Sequence, residues 1–306
     1  MKESVVINCF PSSVSQYQRG YAVVAIDVIR ATTMAITSVT LGRRCFVADT
    51  LESAQRIATN LPDALLAGEL GGDVPDGFDM NNSPSQLALR DDVERPIVVL
   101  STSGTQLACS ASRCEEPAYL ACFRNFTAVA RQLAGRHERV AVIGAGSRNE
   151  FREEDQMCCA WIAEQLMKAG YVAENRQTKE VIERWSGLPP AACSISNSVA
   201  YLRRTGQLED FDFIMAHIDD LDVVYTVQGD EVVAGAGSVL CDAARARVHP
   251  ASGTLAESGE STVPDRRTIS LPTRARQMLP TSDAEHAPDS TQAVVAPTRA
   301  VSMGGL

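Results

Sequence analysis

The chain has 306 residues, of which 45% are hydrophobic and 22% charged, a composition typical of a globular protein with a substantial core. Its formal net charge of −10 at pH 7 argues against a nucleic-acid partner, although local bases or a divalent metal could still bind a small anion. No apolar run is long enough for a membrane span or a signal-peptide core, so we expect no membrane partner and a cytoplasmic protein.

Strand-like and helix-like segments alternate along the chain. Apolar, β-branched runs occur in YAVVAIDVI, RRCFVAD, RPIVVLS, PAYLAC and ERVAVIGAG. Three of them lead into the helical segments RATTMAITSVTLG, TSGTQLACSASRC and EEDQMCCAWIAEQLMKAG. This alternation predicts an α/β fold with a mainly parallel or mixed sheet, and LDVVYTVQGDEVVAG predicts a hairpin at one sheet edge. Ligands of such sheets bind beyond the carboxyl ends of the strands, where helix N-termini also lie.

The first strand-to-helix turn, DVIRATT, places an acid and a base at such a position. Arg30 can bind an oxyanion through two parallel hydrogen bonds, and Thr32 and Thr33 can add donors. An acid at the end of an apolar strand is costly without a partner or a metal, which makes Asp27 a candidate metal ligand. The simpler interpretation is a surface salt bridge between Asp27 and Arg30.

The segment GELGGDVPDGFDMNNSPSQL, residues 68–87, is predicted to be a long polar loop. Glu69 and Asp79 are candidate oxygen ligands for a hard metal ion, whereas Asp73 and Asp76 are better explained as solvated loop carboxylates. Ser83 is expected to cap the helix that follows.

The second turn, STSGT, opens a helix directly after a strand. Its hydroxyls and unpaired N–H groups can bind a phosphate or a sulfonate, and the residues concerned are Thr102, Ser103, Gly104 and Thr105. Simple capping of the helix by Ser or Thr explains the same pattern equally well.

The third turn carries the acids Glu153, Glu154 and Asp155 into the helix that follows. Acids in a first helical turn are favoured by the helix dipole, which is reason enough for their presence. The preceding glycines, Gly144 and Gly146, suggest a dinucleotide-binding turn, but Asn149 stands where the third glycine belongs.

The composition changes after residue 242. All sixteen aromatic residues lie at or before Tyr225, whereas six of the fourteen prolines follow residue 242. Residues 1–242 carry 21 Lys and Arg against 32 Asp and Glu, so the acidity lies in this part of the chain. We therefore predict a folded domain over residues 1–242 and a disordered, low-complexity tail over residues 243–306. The nine cysteines lack CxxC spacing and are expected to be reduced, buried thiols.

In their order, the segments DVIRATT, GEL, GFDMNNSP, STSGT, FRNFTAVA and EEDQMCCA resemble the 2-phosphosulfolactate phosphatase (ComB) family over about residues 5–240. The resemblance implies a three-layer α/β/α domain and a Mg²⁺-dependent phosphatase. The implied substrate is 2-phospho-3-sulfolactate or a similar small anionic phosphoester. Asn81 and Ser103 depart from the family pattern, which usually has Gly and Asn at these positions.

The resemblance and the motifs together assign roles to the candidate residues. Catalytic roles are expected for Asp27, Glu154 and Asp155. Metal ligation is expected for Asp27, Glu69, Asp79 and Asp155. Substrate binding is expected for Arg30, Thr32, Thr33, Thr102, Ser103, Gly104, Thr105 and Asn125.

Two other functional interpretations remain open. The domain could bind an anion without turnover, as a regulatory module on the same fold. It could also be a nucleotide-cofactor enzyme, if the glycines of VAVIGAGSRNE bind a dinucleotide. A homo-oligomer is possible in each case.

Overall fold

The computed structural model describes residues 2–235. Within them the ten strands are β1 (Ser4–Cys9), β2 (Ala22–Ile26), β3 (Cys45–Ala48), β4 (Leu65–Gly68), β5 (Ile97–Leu100), β6 (Ala118–Ala121), β7 (Arg139–Gly144), β8 (Val172–Ala173), β9 (Tyr225–Gln228) and β10 (Glu231–Ala234). The nine α-helices of the same range are α1 (Ala31–Thr40), α2 (Leu51–Thr59), α3 (Pro84–Ala88), α4 (Gly104–Ala111), α5 (Phe126–Leu133), α6 (Glu153–Lys168), α7 (Arg176–Trp185), α8 (Asn197–Arg204) and α9 (Leu208–Ala216). The predicted boundary at residue 242 and the predicted tail lie outside the described residues.

These strands form one sheet in the order β4-β5-β3-β10-β9-β6-β2-β7-β1-β8. Strands β4, β5 and β3 form one parallel group, and β6, β2, β7, β1 and β8 form another. The β9–β10 hairpin pairs antiparallel with β6 on one side and with β3 on the other, so it joins the two groups.

The prediction that this hairpin lies at a sheet edge is therefore wrong. Its side chains explain the central position, because Tyr225, Val227 and Val232 are all buried. An edge strand with one covered face does not need so many buried apolar side chains, whereas a central one does.

Helices cover both faces of the sheet, which confirms the predicted three-layer α/β/α arrangement. Strand β2 illustrates the two faces: Val23 and Ala25 pack in the cluster that contains α1 and α4, while Val24 and Ile26 pack in the cluster that contains α5 and α6. All four side chains are buried, as the continuous apolar run predicts. Helix α1 contacts β3 and β5 of one group and β6 of the other, so it spans the junction between the two groups.

Several local predictions are confirmed as well. Ser83 caps α3, its hydroxyl accepting a hydrogen bond from Gln86 N–H, and Pro84 is the first helical residue. The eight cysteines within residues 2–235 are all unpaired, and seven of them are buried. None of the helices in this range combines the length and apolar character that a membrane span requires.

Candidate active site

A cavity of about 540 Å³ lies at the carboxyl ends of β2, β4, β5 and β7. Its wall is formed by the residues that follow these strands and by one side of helix α8. The three turns singled out in the sequence thus reach the same cavity, as expected for the carboxyl ends of strands in an α/β fold. Two parallel groups contribute to it because α4, which follows β5, begins directly against the end of β2.

The contact between α4 and the end of β2 is made by Gly104 and Asp27. A Cβ atom on Gly104 would lie only 2.0 Å from Asp27 Oδ2 and 2.6 Å from Ala31 Cβ. No side chain fits there, so glycine allows the carboxylate of Asp27 to lie against the start of α4. The N–H of Ala31, the first residue of α1, donates to the same carboxylate.

Asp27 and Asp155 are neighbouring buried carboxylates in the cavity wall. Val28 N–H donates to Asp155 Oδ1 over 2.9 Å, and Gly146 N–H donates to Oδ2 over 3.3 Å. Burial raises the pKa of Asp27 to about 7, and the charges of nearby acids add to that rise. Burial, and after it the charge of Asp27, raise the pKa of Asp155 well above its usual range. Neither carboxylate has an ion-pair partner among the described residues.

Two further acids lie close to Asp27. Glu69 contributes to the raised pKa of Asp27 and accepts hydrogen bonds from Thr102 N–H over 2.7 Å and from the Thr102 hydroxyl over 2.8 Å. Glu154 is buried behind the cavity wall, where burial raises its pKa, and its Oε2 has no hydrogen-bond partner among residues 2–235. Four acidic side chains are therefore gathered in or next to the cavity wall.

Arg30 is the buried cation of the cavity wall. Its Nη1 donates to Asp210 Oδ2 over 2.5 Å and to Gln207 Oε1 over 2.6 Å, and its Nη2 donates to Asn81 Oδ1 over 2.9 Å. The salt bridge with Asp27, the simpler interpretation of DVIRATT, is not formed, because Arg30 pairs with Asp210 instead.

In STSGT the hydroxyl groups divide between two roles. Ser103 lies at the N-cap position of α4 but makes no side-chain capping bond, and it lines the cavity together with Thr102. Ser101 and Thr105 instead bind each other, with Ser101 N–H donating to Thr105 Oγ1 over 2.8 Å and Thr105 N–H donating to Ser101 Oγ over 2.9 Å. Ser101 thus binds a backbone N–H in the first turn of α4, whereas phosphate binding by the two residues that line the cavity stays a prediction.

The structure does not bring Thr32, Thr33, Thr105 or Asn125 to the cavity wall. The Thr32 hydroxyl accepts from Asp27 N–H over 3.0 Å, and the Thr33 hydroxyl donates to the Val28 carbonyl over 2.8 Å. Asn125 is fully buried, and its Oδ1 accepts a hydrogen bond from Cys122 N–H in the preceding loop. These polar groups satisfy buried backbone atoms, which leaves them unable to reach a substrate.

Asp79 also lies away from the cavity. It is exposed, and its Oδ2 accepts a hydrogen bond from Leu66 N–H over 2.8 Å, near the beginning rather than the end of β4. Within residues 2–235 no three acidic, histidine or cysteine side chains stand close enough together to hold a metal ion by themselves. The predicted set of four carboxylate ligands is therefore not assembled.

Sequence reasoning missed three further arginines that line the cavity. Arg148 and Arg152 lie in the segment between β7 and α6, and Arg204 ends α8. Arg152 pairs with Glu150 over 2.8 Å, while Arg148 and Arg204 have no ion-pair partner within residues 2–235. The only sequence signal for these arginines was the turn GAGSRNE. The dinucleotide interpretation singled out this turn for its glycines and not for Arg148.

The turn itself does not support that dinucleotide interpretation. Strand β7 ends at Gly144 and helix α6 begins only at Glu153, so no helix N-terminus follows the glycines directly.

Comparison with known proteins adds a second line of information. The sequence model of the 2-phosphosulpholactate phosphatase family matches residues 9–230. A probable 2-phosphosulfolactate phosphatase of Deinococcus radiodurans is 34% identical over 215 residues, which cover 69% of this chain and 90% of the relative. A protein of the same description from Thermus thermophilus is 32% identical over 197 residues, covering 62% and 81%. Another, from Synechococcus sp. strain CC9605, is 32% identical over 228 residues, covering 71% and 93%.

Proposed function

Because the chain belongs to the 2-phosphosulpholactate phosphatase family, we propose that it hydrolyses a small, strongly anionic phosphate monoester. The substrate we favour is 2-phospho-3-sulfolactate, which would give 3-sulfolactate and inorganic phosphate. The relatives' descriptions support this substrate.

The observation that carries the proposal is the presence of two buried carboxylates and a buried arginine in the wall of one cavity. Asp27, Asp155 and Arg30 all line this cavity, and all three are buried. Phosphate monoesters hydrolyse extremely slowly without help, and catalysis depends on neutralising and positioning the phosphoryl oxygens. A buried arginine supplies the positive charge, and carboxylates supply the means to bind a metal ion.

The donor set fits Mg²⁺. Asp27 and Asp155 offer hard carboxylate oxygens, both are buried, and no cationic side chain of the described residues pairs with them. Mg²⁺ is commonly bound by one or two carboxylates together with waters and substrate phosphate, so a larger protein cage is not needed. When bound, the ion would neutralise phosphoryl charge and activate water.

The chain's own residues would then bind and orient the substrate. Arg30 would hold a phosphoryl oxygen, and the Ser103 hydroxyl and the N–H groups at the start of α4 would donate to another. Arg148 and Arg204, which also line the cavity, would hold the remaining anionic groups of the substrate. This division explains how a protein with a net charge of −10 can bind a multiply charged anion.

Phosphate release from 2-phosphosulfolactate, measured with Mg²⁺ and with EDTA, tests the proposal. We expect release that requires the metal and that falls by about 100-fold or more in Arg30→Ala and Asp155→Asn. Asp76→Asn, which replaces an exposed loop carboxylate outside the cavity, serves as the matched control and should keep wild-type rates.

Two results would contradict the proposal. Release that is unaffected by EDTA would remove Mg²⁺ from it. A folded protein that binds inorganic phosphate but never releases it from the ester would instead favour the non-catalytic anion-binding domain.

A further inference from the structure

Asp210 is a buried carboxylate that does not line the cavity. It lies in the first turn of α9 and is 1% exposed. Its Oδ2 accepts from Arg30 Nη1 over 2.5 Å. Its Oδ1 accepts from the Ser83 hydroxyl over 2.5 Å, from the Ser85 hydroxyl over 2.6 Å and from Ser85 N–H over 3.1 Å. One oxygen of Asp210 thus holds the start of α3, and the other holds Arg30.

These contacts determine which edge of the Arg30 guanidinium remains available. A guanidinium has five N–H groups, and three of them donate to Asp210, Gln207 and Asn81. Within the described residues, Nε–H and one N–H of Nη2 have no acceptor. These two groups form one edge of the planar fork, which matches the spacing of two oxygens of a phosphate or carboxylate.

Asp210, and not an acid of the cavity, is the ion-pair partner of Arg30. Arg30 lowers the pKa of Asp27 only as the smallest of several influences, so the two side chains interact weakly. A buried guanidinium that loses its carboxylate partner must find another, because an unpaired buried charge is costly. Asp27 belongs to the same turn and lines the same cavity, so it is the alternative partner, and pairing with it would remove both groups from the site.

We propose that Asp210 is a positioning residue: it holds Arg30 so that the Nε and Nη2 edge faces the substrate oxyanion, and it prevents Arg30 from pairing with Asp27. This role rests on the proposed function of the cavity, since it gives Arg30 a substrate anion to bind.

The test compares Asp210→Asn with variants that share its structural environment. Ser85→Ala removes a bond to the other oxygen of the same carboxylate, and Asp212→Asn removes an exposed acid on the same helix. For each variant, KM and kcat for phosphate release, the Kd of inorganic phosphate and the melting temperature are measured. The Kd needs no turnover, so it reports on the anion site even if the enzyme is inactive.

We expect Asp210→Asn to raise KM and the Kd of phosphate by about 10- to 100-fold, with a smaller change in kcat. Ser85→Ala should lower the melting temperature while its KM stays within about twofold of wild type, and Asp212→Asn should change neither quantity. Should Asp210→Asn fail to fold, Asp210→Glu keeps the charge but displaces the carboxylate that holds Arg30 Nη1, and it should raise KM and Kd in the same direction.

The positioning role is overturned if Asp210→Asn, or Asp210→Glu in its place, keeps wild-type KM and Kd. It is also overturned if Ser85→Ala raises KM as much as Asp210→Asn does, because the effect would then follow from lost stability. A wild-type protein that binds phosphate but hydrolyses no ester would refute the proposed function alone, and the Kd comparison would still decide the role of Asp210.

Discussion

The substitution Asp27→Asn tests how much negative charge the folded protein confines in its cavity. Burial raises the pKa of Asp27 from its ordinary value of 3.8 to about 7 in the metal-free protein. The folded state therefore binds this proton more tightly than the unfolded state, and its stability falls as the pH rises from about 4 to about 7. At 1.36 kcal/mol for each pH unit, the free energy of unfolding is about 4 kcal/mol lower above pH 7 than it is below pH 4.

An asparagine keeps the shape of the side chain and an acceptor for Ala31 N–H, but it carries no charge. In EDTA at pH 8 we therefore expect Asp27→Asn to be more stable than wild type by up to about 4 kcal/mol. At pH 4 the two proteins should differ by less than about 1 kcal/mol, because pH 4 lies close to the unfolded-state pKa of 3.8 and only a small part of the loss has accumulated there. Phosphate release should nevertheless be lost, since the carboxylate is a proposed metal ligand.

Urea denaturation at pH 4, 6 and 8, always with EDTA, measures the difference, and Asp76→Asn serves as the control for removing one negative charge from the surface. The reasoning fails if Asp27→Asn is no more stable than wild type at pH 8. It fails equally if Asp76→Asn shows the same gain, because the effect would then come from net charge rather than from burial.

Three further predictions concern other contacts. Gly104→Ala should reduce phosphate release by about 10-fold or more in a folded protein, because the new Cβ would displace the Asp27 carboxylate; wild-type rates would contradict this. Hydrogen bonds from Arg90, and those from Arg43, hold the pKa of Asp92 well below its usual range, so this contribution to stability is present above about pH 4 and is lost as the pH falls further. Asp92→Asn should accordingly lower the free energy of unfolding by about 3 kcal/mol in urea denaturation at pH 7, and by less at pH 2. An equal loss at both pH values would show that the titration of Asp92 makes no contribution. Tyr225→Phe removes the 2.9 Å hydrogen bond to the Thr40 hydroxyl and should lower the free energy of unfolding by about 1 kcal/mol in the same assay. An unchanged urea midpoint would contradict this prediction.

The sequence predicted the elements of the fold better than their arrangement. Strand β2 and helix α1 follow from a local apolar run and the turn after it, and the capping of α3 by Ser83 depends on neighbouring residues only. The hairpin was also recognised from its local Gln-Gly-Asp turn. Its place in the sheet depends on pairing with residues far away in the chain, such as Glu231 with Phe46, and no local pattern encodes that choice.

The candidate site shows the same limit. Asp27, Arg30 and Asp155 could be grouped because the carboxyl ends of strands meet in α/β folds. Thr32 and Thr105 could not be separated from Ser103 by sequence, because a hydroxyl near a helix start can serve the backbone or a ligand equally well. The partnership of Arg30 with Asp210 spans 180 positions, and nothing near either residue announces it.

The central position of the β9–β10 hairpin has a consequence for the chain during its synthesis. The strands on both sides of the hairpin are complete by residue 173, but the pair that joins them spans only Tyr225–Gln228 and Glu231–Ala234. Until those residues leave the ribosome, β3 and β6 each present an unpaired edge, which is a template for pairing with other chains. A product that stops before Tyr225 would therefore not be a slightly shortened enzyme. It would be two incomplete sheets with exposed inner edges, and we expect such fragments to aggregate rather than to fold.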